Sequence, residues 1–414
     1  MSDPEILVLG GGLGGIMAAM TAAEQASVEL VTPRARAFEH HAGLIDVLGY
    51  RNGTTVACPH QAIEEELSPD HPYRIVGTAH LQQGLDTFER ATNGRFAGTD
   101  RNAMVPTAIG SPRPVLRYPD AVTPGLLSRE DEMTVVGFDH LADFDPFHAA
   151  ERLRSLEVPF DIEPVQVTLP FEEHDRSPAQ RIIDAMDQNE TVGRGVPIRE
   201  SVVRSILAQL VEPERVGFPA VLGIESAADV REELAEDLEA PVFEIPLGPP
   251  SAIGRRLETT LAESLEAAGV EVTRGTDVEH VEEGNKRVRR LQLSDGRTVG
   301  PESIILATDG IAAGGLEATR TGLREPRFGC HVPSSDDRRT WTEPTLLGNH
   351  QLAAAGVRID SQSRPLTRDG EPVYSNLMAA GRIIGGSNLI AQHAVAGVAI
   401  ATGTAAGETA IGLD

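Results

Sequence analysis

The apolar residues Ile6 to Leu9 run directly into Gly10-Gly11-Gly12-Leu13-Gly14-Gly15 and then into the small, apolar stretch Ile16 to Met20. A short continuous apolar run is the pattern of a parallel strand covered on both faces. Gly10, Gly12 and Gly15 fall at the three glycine positions of G-x-G-x-x-G, with Gly11 and Gly14 between them. Each position has its own physical demand: Gly10 permits a sharp turn, Gly12 lets backbone approach a pyrophosphate without a side chain in the way, and Gly15 lets the helix lie close to the strand. The negative charge of such a ligand would rest on the helix amino terminus, where N–H groups and the helix dipole favour it. The spacing predicts a helix from Leu13 to Gln25 and a second strand from Val28 to Thr32, which makes a βαβ unit and an α/β, Rossmann-like domain. One residue departs from the pattern. The acid that would hold a ribose hydroxyl at the end of the second strand is absent, because the strand ends Thr32-Pro33-Arg34.

A chain of 414 residues exceeds one simple core, so two domains or one domain with a large insertion is expected. There are 62 acidic and 36 basic residues, a net charge of −26, and Lys286 is the sole lysine. Such a surface repels nucleic acid and anionic lipid. Acid in excess with lysine nearly absent is the composition of a cytoplasmic protein from an extreme halophile. Cys58 and Cys330 supply neither a C-x-x-C pair nor a cluster able to hold iron and sulfur. The amino end lacks the basic-then-hydrophobic order of a signal peptide. The best membrane candidate, Leu389 to Leu413, is interrupted by Gln392, His393 and Glu408 and reads as a buried helix.

Along the chain, His40-His41 precedes a small-residue turn. Adjacent residues point in different directions, so a loop near a ligand is expected there and no metal site. From Ser68 to about Pro250 the texture changes to short strands (Met133 to Phe138, Pro164 to Leu169, Phe218 to Ile224), proline-rich loops and amphipathic helices such as Ala227 to Leu238. Ser251 then caps a helix whose stripe is Ile253, Leu257, Leu261 and Leu265, closed by Gly269. A strand at Val270 to Thr273 follows, and then a three-stranded meander, Val278 to Glu282, Val288 to Leu293 and Thr298 to Val299, with Gly284-Asn285 and Asp295-Gly296 at its corners. Two more apolar strands end in small-residue turns. The first is Ser303 to Leu306, leading to Ala307, Thr308 and Gly310; the second begins at Asn376 and leads to Gly381, Gly385 and Gly386. These residues join the first turn as candidate ligand contacts. The expected organisation is a first domain in three pieces (1–67, 249–320 and 371–414), an inserted α/β domain at 68–248, and a cap or linker at 321–370.

The stretches GGGLGG, AGLIDVLGY, HPYRIVG, VVGFDHLADF, PPSAIGRRLE, ILATDG, TGLREPRFG and NLMAAGRIIGG together resemble the B subunit of anaerobic glycerol-3-phosphate dehydrogenase over essentially the whole chain. The resemblance implies a glycine-motif flavoprotein, its Rossmann-like domain flavin-binding. It would be a cytoplasmic subunit, peripheral at the membrane face, working with a catalytic A subunit and an iron–sulfur C subunit. The implied reaction is oxidation of sn-glycerol 3-phosphate to dihydroxyacetone phosphate, with electrons passed to quinone. The resemblance implies FMN, whereas the glycine turn argues for FAD, whose pyrophosphate and adenylate use such a site fully. A structural or electron-relay subunit without catalysis of its own, and a stand-alone FAD-dependent oxidoreductase, are the other readings. No catalytic acid or base is legible. Gln392-His393 is the best polar pair to face a flavin ring, and Arg255, Arg256, Arg324 and Arg382 are the cations available to a substrate phosphate.

Overall fold

The computed structural model describes the chain except residues 1–2, 35, 170, 172–177, 194, 211, 346–347 and 413–414. It divides into two compact units. Unit 1 comprises Met1–Ala37, Asp46–Gly94 and Thr260–Asp414; unit 2 comprises Phe38–Ile45 and Arg95–Thr259.

Unit 1 is built on β1 (Ile6–Leu9), α1 (Leu13–Ala23), β2 (Val28–Thr32), α2 (Thr78–Ala91), β3 (Glu271–Arg274), β4 (Ser303–Leu306), β5 (Leu377–Ala379) and α3 (Val395–Ile411). The five strands form one parallel sheet in the order β3-β2-β1-β4-β5. Every residue of β1, β2, β4 and β5 is buried, as continuous apolar runs require. The register pairs Leu9 with both Val31 and Leu306, so the turn after β1 emerges beside the ends of its two neighbours.

The helical layer is held close by small residues. Gly403 of α3 lies over Met17, where a Cβ would come within 2.9 Å of the Met17 Cβ, and Gly407 lies over Ala18, where a Cβ would be 2.7 Å from the carbonyl oxygen. Gly84 of α2 meets Ile400 and Thr404. The Ala- and Gly-rich tail is therefore a core helix, buried from Ala396 to Gly407, and no described helix is long and apolar enough to cross a membrane. The meander, Val278–Gly284, Arg287–Leu293 and Thr298–Val299, is tied to the sheet by two polar links. Buried Glu29 of β2 accepts from Thr273 Oγ1 at 2.8 Å and from Arg297 Nη2 at 2.7 Å, and buried Asn376 bonds Val288 and Glu302 backbone atoms.

Unit 2 carries a four-stranded parallel sheet in the order Val242–Ile245, Arg215–Pro219, Met133–Phe138, Ile162–Val167. Helices Pro146–Arg154, Ile198–Leu207 and Ala227–Leu238 contribute Leu153, Ile206 and Leu234 to its core. The expected strands at Pro164 and Phe218 are shifted toward the amino end. Pro164 sits inside an edge strand, where its missing N–H disturbs no ladder on the outer side, and Pro219 with Gly223, whose φ is +118°, ends the other strand early. The boundary expected at residue 67 also differs. Residues 68–94 pack with unit 1, because α2 buries Leu81, Leu85 and Phe88 there and lies against α3. A change in composition at Ser68 does not reveal which sheet a helix will cover.

Candidate cofactor site

The turn after β1 uses its glycines in different ways. Gly10 has φ +125° and donates its N–H to Val31 O at 2.8 Å, and a Cβ there would overlap the Ala307 carbonyl. A Cβ on Gly15 would overlap the Gly10 carbonyl and come within 3.3 Å of the Ala307 Cβ. Gly14 faces the Gly381 backbone, with a built Cβ 3.0 Å from its Cα, and a Cβ on Gly11 would come within 3.2 Å of the Thr32 side chain. Gly12 is the exception: a Cβ there would meet nothing within 4 Å. It is the N-cap of α1, in extended conformation, with no capping side chain and no acid in the first turn of the helix. A helix end in this state presents unsatisfied N–H groups and positive potential.

Ala307 and Thr308 close the turn from the β4 side. Ala307 donates its N–H to Leu9 O at 2.8 Å. Thr308 is 8% exposed, and its hydroxyl is buried without a hydrogen-bond partner among the described residues. An unsatisfied buried hydroxyl costs roughly 1–3 kcal/mol, a penalty that a bound polar ligand removes. Gly381, with φ +73°, donates its N–H to Thr402 Oγ1 at 2.9 Å and brings the end of β5 against α1. The structure thus gathers Gly10, Gly11, Gly12, Gly14, Gly15, Ala307, Thr308 and Gly381 at one sheet edge. Gly310 follows on the rim. Gly385 packs on Gly356, and a Cβ on Gly386, whose φ is +102°, would lie 3.3 Å from Asp70 O. Thr32 ends β2 buried, its hydroxyl accepting from Arg34 N at 3.4 Å, so a hydroxyl occupies the strand end where a ribose-binding acid is expected.

The amino terminus of α3 is closed. Buried Asp46 accepts the Ala396 N–H on Oδ1 at 3.0 Å and the Gly397 N–H on its carbonyl at 2.8 Å, which places an internal anion where a ligand would otherwise sit. Sequence reading missed this cap, because nothing local relates residue 46 to residue 396. Gln392 and His393 belong to the same neighbourhood. Gln392 Oε1 accepts from His71 Nε2 at 3.1 Å, and the left-handed His393, φ +46°, meets the Tyr50 ring edge-on at 4.9 Å. His71 Nδ1 accepts from Tyr73 N at 3.3 Å, so its hydrogen is on Nε2; burial lowers its pKa against the opposing effect of the Gln392 bond. Tyr73 donates to Val47 O at 2.6 Å, and burial, followed by the Asp46 charge, raises its pKa. His41, in unit 2, accepts from Gly43 N at 3.0 Å on Nδ1, which makes it part of its own loop's turn.

Beside the turn lies a cavity of about 310 Å³, with Gly310, Ile311, Thr342, His350, Arg382 and Ser387 among its lining. Gly310 stands three residues after Ala307, which touches Gly10, and Arg382 follows Gly381, which touches Gly14. An open helix end, an unpartnered hydroxyl and an adjoining cavity with apolar walls and a few polar groups fit a dinucleotide carrying a planar ring.

The fold and turn define a dinucleotide-binding flavoprotein class, and comparison agrees: residues 5–398 match the family model described as FAD binding domain. The matched family is one for FAD, and the FMN implied by the resemblance finds no support. Among curated relatives, the B subunit of the probable anaerobic glycerol-3-phosphate dehydrogenase of Halobacterium salinarum is 39% identical, covering 99% of this chain and 98% of that one. The chain belongs to the FAD binding domain family and, within it, to the B subunits of anaerobic glycerol-3-phosphate dehydrogenase. The corresponding B subunit of Vibrio cholerae is 26% identical over 97% of this chain and 95% of its own. The acid-rich, lysine-poor composition fits the haloarchaeal source of the first relative. Among solved structures, 3-ketosteroid delta1-dehydrogenase from Sterolibacterium denitrificans is similar with 10% identity and a TM-score of 0.47, covering 100% of each chain.

Proposed function

We propose that this chain holds FAD at the open α1 terminus and acts as the flavin-bearing subunit in the oxidation of sn-glycerol 3-phosphate to dihydroxyacetone phosphate, within a complex that includes an A and an iron–sulfur C subunit. The observation that supports this best is that Gly12 faces empty space in the same turn whose Gly10 backs onto Thr308, a residue with a buried, unpartnered hydroxyl. When bound, the flavin supplies the two-electron acceptor that side chains lack. The chain's own groups bind and orient. The α1 N–H groups would hold the pyrophosphate, the Thr308 hydroxyl would take one polar atom of the cofactor, and the tight contacts of Gly10 and Gly15 keep the turn rigid.

Onward transfer of single electrons to quinone needs centres that Cys58 and Cys330, one half-buried and one buried, do not provide, so we assign it to the partner subunits. The same dependence extends to the membrane. With net charge −26 and no Lys or Arg between Leu389 and Leu413, electrostatic adsorption to anionic lipid is opposed, and contact with the bilayer would run through a partner. The visible spectrum of the purified chain tests the cofactor, and glycerol 3-phosphate oxidation with a soluble dye tests the division of labour. Turnover should be slow for the chain alone and restored by its partners. Rapid turnover by the isolated chain would assign the whole reaction to it, and vesicle co-sedimentation without a partner would make it its own membrane anchor.

A further inference from the structure

The four arginines available to a substrate phosphate differ sharply in what surrounds them. Arg256 is bound by buried Glu244 through both terminal nitrogens and also donates to Gly223 O, so its donors are committed. Arg324 gives Nε and Nη2 to Glu317 at 3.0 and 2.7 Å on an exposed strand pair. Arg255 donates to Gln180 Oε1 at 2.6 Å. Arg382 makes no side-chain hydrogen bond among the described residues; its Nε forms an ion pair with half-exposed Asp309 at 3.8 Å, too long for a hydrogen bond, so its N–H donors are uncommitted. Its side chain is 36% exposed and lines the cavity beside the nucleotide turn, with the Thr342 and Ser387 hydroxyl residues on the same lining. A guanidinium has five N–H donors in a planar fork matched to phosphate oxygens. On a surface of net charge −26, a local cation is also what an anionic ligand requires for capture.

We propose that Arg382 is the phosphate clamp of this cavity, binding a phosphate group carried by a small organic molecule. The proposal rests on the function given above only for the choice of probe. Two molecules present this chemistry: a phosphomonoester such as glycerol 3-phosphate, and the diphosphate arm of the flavin dinucleotide, since the cavity adjoins the turn that would hold it.

The test uses the full chain in wild-type, Arg382→Ala and Arg382→Lys forms, with circular dichroism to establish folding. FAD content and FAD affinity of the stripped protein are measured first. Calorimetric titration of the loaded and the stripped protein with sn-glycerol 3-phosphate follows. We expect Arg382→Ala to weaken one of these affinities at least tenfold, with partial recovery in Arg382→Lys, whose point charge lacks the fork. Loss confined to glycerol 3-phosphate assigns the clamp to the phosphomonoester, and loss of FAD assigns it to the cofactor arm. If folded Arg382→Ala binds both within twofold of wild type, the proposal is overturned while the function stands. A wild-type chain that binds no FAD overturns the function instead, and phosphate binding by the stripped chain still reads the clamp.

Discussion

Both units build a parallel sheet flanked by helices, yet α1 of unit 1 and two helical entries of unit 2 differ in what holds their amino-terminal N–H groups. In unit 1, α1 begins at Gly12 with no capping side chain and empty space beyond it. In unit 2, Asp145 caps Pro146–Arg154 by accepting the Phe147 and His148 N–H groups at 2.9 and 3.1 Å. Asp187 likewise takes the amides of Ile224 and Ser226 at 2.8 and 2.9 Å, in the turn leading into Ala227–Leu238. Burial alone would raise the Asp187 carboxyl, but these donors and the Ser226 hydroxyl outweigh it and hold it below the usual carboxylate range. Unit 1 does the same at α3 with Asp46. A parallel sheet does not by itself make an anion site. The proposed site lies where α1 begins without a carboxylate of the chain's own at its end.

The largest effect should come from the glycine that is walled in. Gly15→Ala places a Cβ into the Gly10 carbonyl, where backbone cannot give way, and should cost about 3 kcal/mol or prevent folding, as read by chemical denaturation. Gly12→Ala, facing open space, should leave stability within about 1 kcal/mol. A similar loss in both variants would remove the distinction between the open and the packed glycine.

Next is Gly12→Glu, which puts a carboxylate at the α1 terminus and so converts it to the state seen in unit 2. The variant should fold and lose its flavin, measured as the visible flavin absorbance released on denaturation. Full flavin occupancy in a folded variant would place the cofactor elsewhere.

Asp187→Ala tests the other side. Removing the anion that holds the Ile224 and Ser226 amides should destabilise unit 2 by about 2 kcal/mol without altering flavin content. Because the Asp187 pKa is lowered on folding, its contribution is present above the unfolded value and is lost as pH falls through the folded one, so the wild-type advantage should shrink in acid.

The smallest effect concerns His71. Its pKa is lowered by burial, so the neutral form is the folded one, and stability is complete above the ordinary histidine value of about 6.5 and declines as pH falls below it. The melting temperature of wild type should therefore drop more between about pH 7.5 and 5.5 than that of His71→Gln, which keeps hydrogen-bonding capacity but does not titrate in that range. Equal drops would mean that His71 is solvated in the native protein.

The β1 turn was legible because all its constraints are local: a strand, a turn and a helix within about fifteen residues leave few alternatives. The meander was equally plain, since Asn285 and Gly296 at its corners adopt the positive φ that their residue types favour. The returns of β4 and β5 were readable as apolar strands ending in small residues, whereas the packing of Gly385 on Gly356 and of Gly386 near Asp70 was not. A glycine's sequence neighbours show that backbone can come close at that position. They do not show whether the visitor is a ligand or another strand.

What the amino-acid order determined alone is therefore the local grammar: which segment turns, where a helix begins, and that the turn carries glycines where backbone comes close. Which helix ends stay open depended on contacts across long separations, such as Asp46 with Ala396 or Asp187 with Ser226, and these arise when the sheets are assembled. The fate of each arginine was settled in the same way. Arg256 is held by buried Glu244, whereas Arg382 keeps only a 3.8 Å ion pair with half-exposed Asp309 and lines a cavity. Charge pairing is a property of distance in space, and chain order constrains that distance weakly beyond a few residues.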